Sequence, residues 1–328
     1  METDVALPSL RPPPTLAVIV PCFNEEAVLD LTIARLSAQL RRMVEAGQVS
    51  PASYIILIDD GSRDGTWQAI SRAHAADLSV RGLKLSRNFG HQAALCAGLD
   101  WCTTRCDCAI SIDADLQQDE SAMSEFVAHY RKGCEIVYGV RTSRKSDSLF
   151  KSLTARAFYA LMRLQGVPVI PNHADYRLMS AKALRALGQF TEGNLFLRGV
   201  IVQEIGLPSA IVHFDVRERV AGTTKYSARK MLSFALNGIT AFSVAPLRLV
   251  FWMGASFTAM SVVMAAYVLV SAIALGRALP GWASTVLPIY VIGGATLISI
   301  GIIGEYVGRI YREVKRRPRF IVEEERVD

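Results

Sequence analysis

The chain has 328 residues, long enough for one α/β domain with an appendage. Hydrophobic residues make up 51 % and the mean hydropathy is +0.26, an excess gathered toward the C-terminus, which excludes an ordinary soluble enzyme and points to a membrane. The net charge of +6 comes with no aromatic-basic interleaving and no nucleic-acid motif, so it is read as attraction to anionic lipid and phosphate, with no nucleic-acid partner.

In chain order, Met1 to Pro14 is polar and proline-rich, a disordered leader without the apolar stretch of a signal peptide. The domain after it is expected in the cytosol. Leu16 to Val20 is a short β-branched run ending at Pro21, and Glu25 to Val44 carries helical apolar spacing. Tyr54 to Ile58, Gly82 to Leu85, Cys108 to Ile112 and Glu135 to Val140 are further strands. Helical stretches at Trp67–Ala76, His91–Cys102 and Glu120–Gly133 separate them. This alternation predicts a mostly parallel sheet with helices on both faces. Ligands of such sheets sit beyond the carboxyl ends of the strands, so the turns Pro21–Glu26, Asp59–Thr66, Ser86–His91 and Asp113–Gln117 should share one rim.

Phe150 to Leu164 reads as a basic amphipathic helix, suited to a bilayer interface or to packing on the sheet, and Lys225 to Phe242 repeats the theme. Leu249 to Leu275 and Ala283 to Gly304 are uncharged runs of about 27 and 22 residues, each enough to span a bilayer. Lys225, Arg229, Lys230 and Arg248 precede them, Arg309 to Arg319 follow them, and only Arg277 lies between. The positive-inside rule makes this a hairpin with both ends cytosolic. The expected organisation is a leader (1–14), a cytosolic catalytic domain (15–224), a juxtamembrane amphipathic helix (225–246), two transmembrane helices (247–307) and a basic then acidic cytosolic tail (308–328). Cys102, Cys106 and Cys108 cluster, but no second ligand pair at zinc-site spacing follows, so the six cysteines are read as free thiols.

Asp113-Ala-Asp115-Leu-Gln117 is the strongest chemical signal. On an extended chain, residues two apart point the same way, so three oxygen donors could meet one hard cation, Mg²⁺ or Mn²⁺, that carries a substrate's phosphates. Two acids at a strand end repel each other unless a cation is near. The turn Pro21-Cys-Phe23-Asn24-Glu25-Glu26 suits either a ribose contact or a helix cap. Asp59-Asp60-Gly61-Ser62 suits either a base N–H and phosphate or a capped turn. Arg217 to Tyr226 is a basic, hydroxyl-rich stretch in which Arg219 and Lys225 suit a phosphate at the bilayer surface, or a topology-setting charge run. Asp175 beside Arg177 reads by spacing alone as a structural pair.

Together with Ser86-Arg-Asn-Phe-Gly-His91, Asp175-Tyr-Arg-Leu178, Arg219-x-x-Gly-x-Thr-Lys-Tyr226 and Gly304-Glu-Tyr-Val-Gly-Arg-Ile-Tyr311, these motifs resemble the GT-A glycosyltransferases of family 2. The nearest likeness is to the polyprenyl-phosphate glycosyltransferases, of the dolichol-phosphate mannose synthase and bactoprenol glucosyltransferase kinds. The resemblance spans residues 16 to 320. It implies a Rossmann-like GT-A fold and inverting transfer of a hexose from a nucleotide sugar to a polyprenyl phosphate. It also implies a multi-pass protein of the cell membrane and a homo-oligomer, a tetramer by likeness to the subgroup. Carried over by position, Asp115 and Gln117 hold Mg²⁺ or Mn²⁺, with Asp113 beside them and near the nucleoside. Pro21, Phe23, Glu25 and Asp60 hold base and ribose, Asp175 is the catalytic carboxylate on the acceptor side, and Arg219 and Lys225 meet the lipid phosphate. Gln118-Asp119-Glu120, Thr224 and Tyr176 depart from the usual pattern. The tail favours UDP-glucose and undecaprenyl phosphate, with GDP-mannose and a dolichol-type carrier as the alternative. A processive synthase lacks support because no Gln-x-x-Arg-Trp run exists. An inactive membrane scaffold is the reading of another class, opposed by the retained acids.

Overall fold

A computed structural model describes residues 10–142, 173–192, 197–215 and 282–327, with isolated helical positions between 250 and 266. Contacts divide the chain into two units, one of residues 1–227 with 318–328 and one of residues 228–317.

The first unit is built on β1 (Leu16–Cys22), α1 (Glu26–Glu45), β2 (Tyr54–Asp59), α2 (Thr66–Ala76), β3 (Val80–Leu85), α3 (His91–Cys102), β4 (Cys108–Ser111), α4 (Met123–Arg131) and β5 (Ile136–Arg141). Next come β6 (His173–Ser180), α5 (Ala181–Gly188), α6 (Leu197–Gln203) and β7 (Ser209–Phe214). The strands pair in the order β7-β5-β6-β4-β1-β2-β3-β8, where β8 is Val322–Arg326 from the far end of the chain. β1 to β5 and β7 run one way; β6 and β8 run against them. This is the mostly parallel α/β sheet that the alternating apolar runs predict.

Strand alternation places the core on both faces. Val18, Val20, Ile55 and Leu57 pack with Leu29 and Leu36 of α1, Ile70 of α2 and Phe126 of α4. Ile19 and Ile58 meet α3 on the other face, where Gly98 lets the helix approach: a Cβ there would lie 2.4 Å from Ile19 Cγ2. Because strands 4-1-2-3 are neighbours and parallel, their carboxyl ends form one rim, as expected. β6 enters this rim from its amino end, since Ser111 is paired with Arg177.

β6, α5, α6, β7 and β8 are additions to the expected elements, and two of them are instructive. His173–Ser180 is a strand although it mixes polar and apolar residues: Ala174, Tyr176 and Leu178 alternate into the core, and between them the buried Arg177 finds its counter-charge in Asp175. The acidic end of the segment read as a tail is the edge strand β8, tied in by Trp67 Nε1–H donating to Glu324 (2.8 Å) and by Lys84 with Glu323 (3.2 Å).

In the second unit, α7 (Trp282–Val314) is a 33-residue helix with Ile289, Ile298, Ile300 and Ile303 exposed. Among the described residues no helix is long and apolar enough to cross a membrane. Most of the first apolar run lies outside those residues, as do the side chains of several α7 positions. The amphipathic segments 150–164 and 225–242, with Arg219 and Lys225, also lie outside them. All six cysteines are free, and burial pushes the Cys96 thiol up to about 12.

Candidate active site

The first two turns are stitched together. Asn24 N–H donates to Ser62 Oγ (2.9 Å), and Arg63 N–H donates to Asn24 Oδ1 (2.9 Å). Glu25 N–H donates to Thr66 Oγ1 (3.0 Å), and Gly65 N–H donates to Glu26 Oε2 (2.8 Å). Asn24 takes a positive φ of 53°, which asparagine tolerates better than most residues. Glu25 starts α1, its carbonyl accepting from Val28 and Leu29 N–H. Pro21 is buried inside β1, opposite Ile58.

The acids of the second turn turn inward. Asp59 accepts from Ser62 N–H at 3.0 Å. Asp60 accepts from Phe89 N–H at 2.7 Å and Gly90 N–H at 2.9 Å, so it fixes the loop that opens α3. Burial pushes both carboxyls up from their ordinary value, and for Asp60 the two backbone donors oppose that push. Gly61, at φ 65°, lets this turn meet that loop: a Cβ would lie 2.3 Å from the Arg87 carbonyl carbon. Phe23, Asn24, Gly61, Arg63, Ser86, Arg87 and Asn88 line an open cleft of about 360 Å³. Arg63 and Arg87 are exposed there, and the Arg87 guanidinium lies 3.9 Å from the Phe89 ring centroid. A cleft with two exposed arginines and an aromatic ring suits a nucleoside diphosphate.

The Asp113–Gln117 motif does not have the extended geometry expected of it. β4 stops at Ser111, and Leu116 takes a left-handed φ of 57° with its side chain buried. The acids are therefore presented by a turn, in which Asp115 Oδ1 accepts from Gln117 N–H at 3.2 Å. Gln118, only 2 % exposed, clasps Asp113 twice: its Oε1 accepts from Asp113 N–H (3.0 Å) and its Nε2 donates to Asp113 Oδ2 (2.6 Å). The departure noted after the metal motif thus has a role, holding Asp113 in place.

β6 carries Asp175 to the same place. Ser111 Oγ donates to the Asp175 carbonyl at 2.5 Å, and Arg177, 1 % exposed, pairs with the Asp175 carboxylate. His91, the first residue of α3, reaches both sides: its Nε2 is 3.7 Å from Asp113 Oδ1 and 3.8 Å from Asp175 Oδ2. Asp113 and Asp175, 62 residues apart in sequence, are thus joined through one imidazole. His91 was given no role by sequence, because its importance comes from long-range strand pairing; its place in the Ser86–His91 turn was the available signal. Arg177 was likewise read only as a partner of Asp175.

Among the described residues no three His, Cys, Asp or Glu side chains are gathered to hold a metal. The donors at this turn are carboxylate and amide oxygens, chemistry that suits Mg²⁺ or Mn²⁺ completed by substrate phosphates rather than an all-protein cage.

Residues 17–188 match the family model described as Glycosyl transferase family 2. The chain is 48 % identical to the glycosyltransferase YkoT of Bacillus subtilis over 94 % of its own length and 91 % of that protein. It is 34 % identical to the bactoprenol glucosyl transferase of Shigella phage SfX, over 94 % of this chain and 98 % of that one. Among solved structures it is similar to mannosyl-3-phosphoglycerate synthase from Rubrobacter xylanophilus, at 15 % identity and a TM-score of 0.46, covering 69 % of this chain and 72 % of that one.

Proposed function

The chain belongs to glycosyl transferase family 2, and from that premise we propose that it moves a hexose, with inversion, from a nucleotide sugar to a polyprenyl phosphate. The observation that carries this reading is the convergence of Asp113 and Asp175 on His91, at the rim that also bears the arginine-lined cleft. Relatives named bactoprenol glucosyl transferases, alike over almost the whole chain, support UDP-glucose as donor and undecaprenyl phosphate as acceptor.

In this reading Phe23, Arg63 and Arg87 receive the nucleotide, and Glu25 lies at the entrance to α1 beside it. Asp115 and Gln117, with Asp113, would hold Mg²⁺ or Mn²⁺, which supplies charge neutralisation for the leaving diphosphate. Asp175, paired with Arg177, lies on the acceptor side and shapes the field around the anomeric carbon, where oxocarbenium character develops. The attacking group is a phosphate oxygen. Its second pKa is about 6, so it is largely ionised at neutral pH without a strong general base.

The lipid acceptor accounts for the apolar C-terminal runs. The uncharged runs Leu249–Leu275 and Ala283–Gly304, flanked by cations, support a hairpin in the cell membrane with the catalytic unit on the cytosolic side. Arg219 and Lys225 are proposed to meet the lipid phosphate. Gly293, Gly294, Gly301 and Gly304 offer close-packing positions for a homo-oligomer.

The test is a donor panel. Detergent-purified protein is incubated with undecaprenyl phosphate, Mg²⁺ or Mn²⁺, and UDP-glucose, UDP-galactose, UDP-N-acetylglucosamine or GDP-mannose, and glycolipid is read by mass spectrometry. A chelator-sensitive glucolipid from UDP-glucose is the expected result. A mannolipid moves the donor to GDP-mannose. No glycolipid from any donor overturns the reading in favour of an inactive scaffold.

A further inference from the structure

The last residues of the chain touch the catalytic rim at several independent points. Arg319 Nε–H donates to the Glu192 carbonyl at 2.8 Å, and its Nη2 donates to the Phe190 carbonyl. Its charge also acts on Cys96 and Asp100 of α3. Two residues on, the Ile321 carbonyl accepts from Ser86 N–H at 3.0 Å. β8 then pairs with β3, with an irregularity between Lys84 and Leu85, and Glu324 accepts from Trp67 on α2.

These contacts bracket one stretch of the first unit. Ser86 opens the loop that lines the cleft with Arg87 and Asn88. Phe89 and Gly90 give their N–H groups to Asp60, and His91 stands between Asp113 and Asp175. Ile321 holds the start of this stretch, while Arg319 bears on the helix that continues it and ties to the 190–192 turn.

We propose that Arg319 is a positioning residue for the donor: with Ile321 and β8, it holds the Ser86–His91 loop in the register that the nucleotide cleft requires. This rests on the donor reading of the cleft given above. Arg319 touches no reacting atom in this view; it acts through the loop and α3. The segment follows α7 directly in the chain, so donor binding would depend on residues that lie beyond the whole apolar half.

The test uses full-length Arg319→Ala and Arg319→Lys beside the wild type. Hydrogen–deuterium exchange is followed at residues 86–91, with β5 as the internal reference. Donor KM, lipid KM and kcat are then measured with the donor that the panel identifies. Loss of charge-assisted hydrogen bonds to carbonyls predicts that Arg319→Ala raises donor KM about tenfold. Faster exchange at 86–91, unchanged exchange in β5, and lipid KM and kcat near wild type should accompany it. Arg319→Lys, with one ammonium in place of the guanidinium fork, should lie between the two, and it decides the matter if the alanine variant does not fold. Unaltered exchange and donor KM overturn the proposal. So does a loss shared by all three kinetic constants that tracks a lowered melting temperature, which marks a purely structural arginine. If the wild type makes no glycolipid, the proposed reaction fails separately; exchange at 86–91 and UDP binding by calorimetry then decide the role of Arg319.

Discussion

The two halves of the rim use carboxylates in opposite ways. At the ends of β1 and β2, Glu26, Asp59, Asp60 and Asp64 accept bonds from backbone N–H groups of neighbouring turns. At the ends of β4 and β6, Asp113, which Gln118 clasps, faces the imidazole of His91, and Asp175 faces that imidazole and the guanidinium of Arg177. The first half is a fixed frame, in which each acid holds a loop. The second is a charged focus, where a few side chains set the local field. Acid-rich turns alone do not reveal which use applies; the identity of the hydrogen-bond partner does.

Substitutions separate the two halves. The largest effect is expected from Asp115→Asn, where loss of the proposed metal ligand should lower kcat about 10³-fold with the melting temperature nearly unchanged. Steady-state glycolipid synthesis checks it, and near-normal turnover would remove Asp115 from the metal site. Asp175→Asn should cost about 10²-fold in kcat. It should also lower the melting temperature, because buried Arg177 loses its carboxylate counter-charge. Calorimetry and kinetics on one preparation test both parts.

On the frame side the order reverses, with stability moving more than chemistry. Gly61→Ala forces a left-handed residue and a 2.3 Å approach to the Arg87 backbone, for about 1–3 kcal/mol of lost stability in chemical denaturation. An unaltered midpoint would show that the loop simply moves away. The smallest effect is in pH dependence. Burial raises the Asp60 carboxyl above its ordinary value of 3.8, so the folded state binds that proton more tightly than the unfolded state does. From 3.8 upward to the raised value, Asp60 therefore lowers stability as pH rises. Asp60→Asn should remove that slope from a plot of melting temperature against pH. A slope equal to the wild type's would assign it to another group, such as Asp59.

Much of the frame is legible in the letters. Leu16–Val20, Tyr54–Ile58 and Cys108–Ile112 are apolar runs closed by turn residues, and each is a strand within one or two residues of its expected bounds. β6 and β8 were hidden for a physical reason. β6 does place Ala174, Tyr176 and Leu178 in the core, but Asp175 and the buried Arg177 between them mask the apolar face, and β8 is held by glutamates bonded to Trp67 and Lys84. The Asp113–Gln117 motif was legible in composition but not in shape, because Leu116 leaves the extended region and breaks the alternation. His91 could not be weighed by spacing, since its two carboxylates arrive from strands paired across a long stretch of chain.

The position of β8 also sets a timetable. Ribosomes add roughly 5–20 residues per second, so the hundred-odd residues between β7 and β8 take on the order of ten seconds to make. Throughout that interval the nascent catalytic unit presents β3 as a bare sheet edge, its hydrogen-bonding groups open to other chains. The sheet closes only after the two uncharged runs, residues 249–275 and 283–304, have left the ribosome, so its last edge is covered late in synthesis.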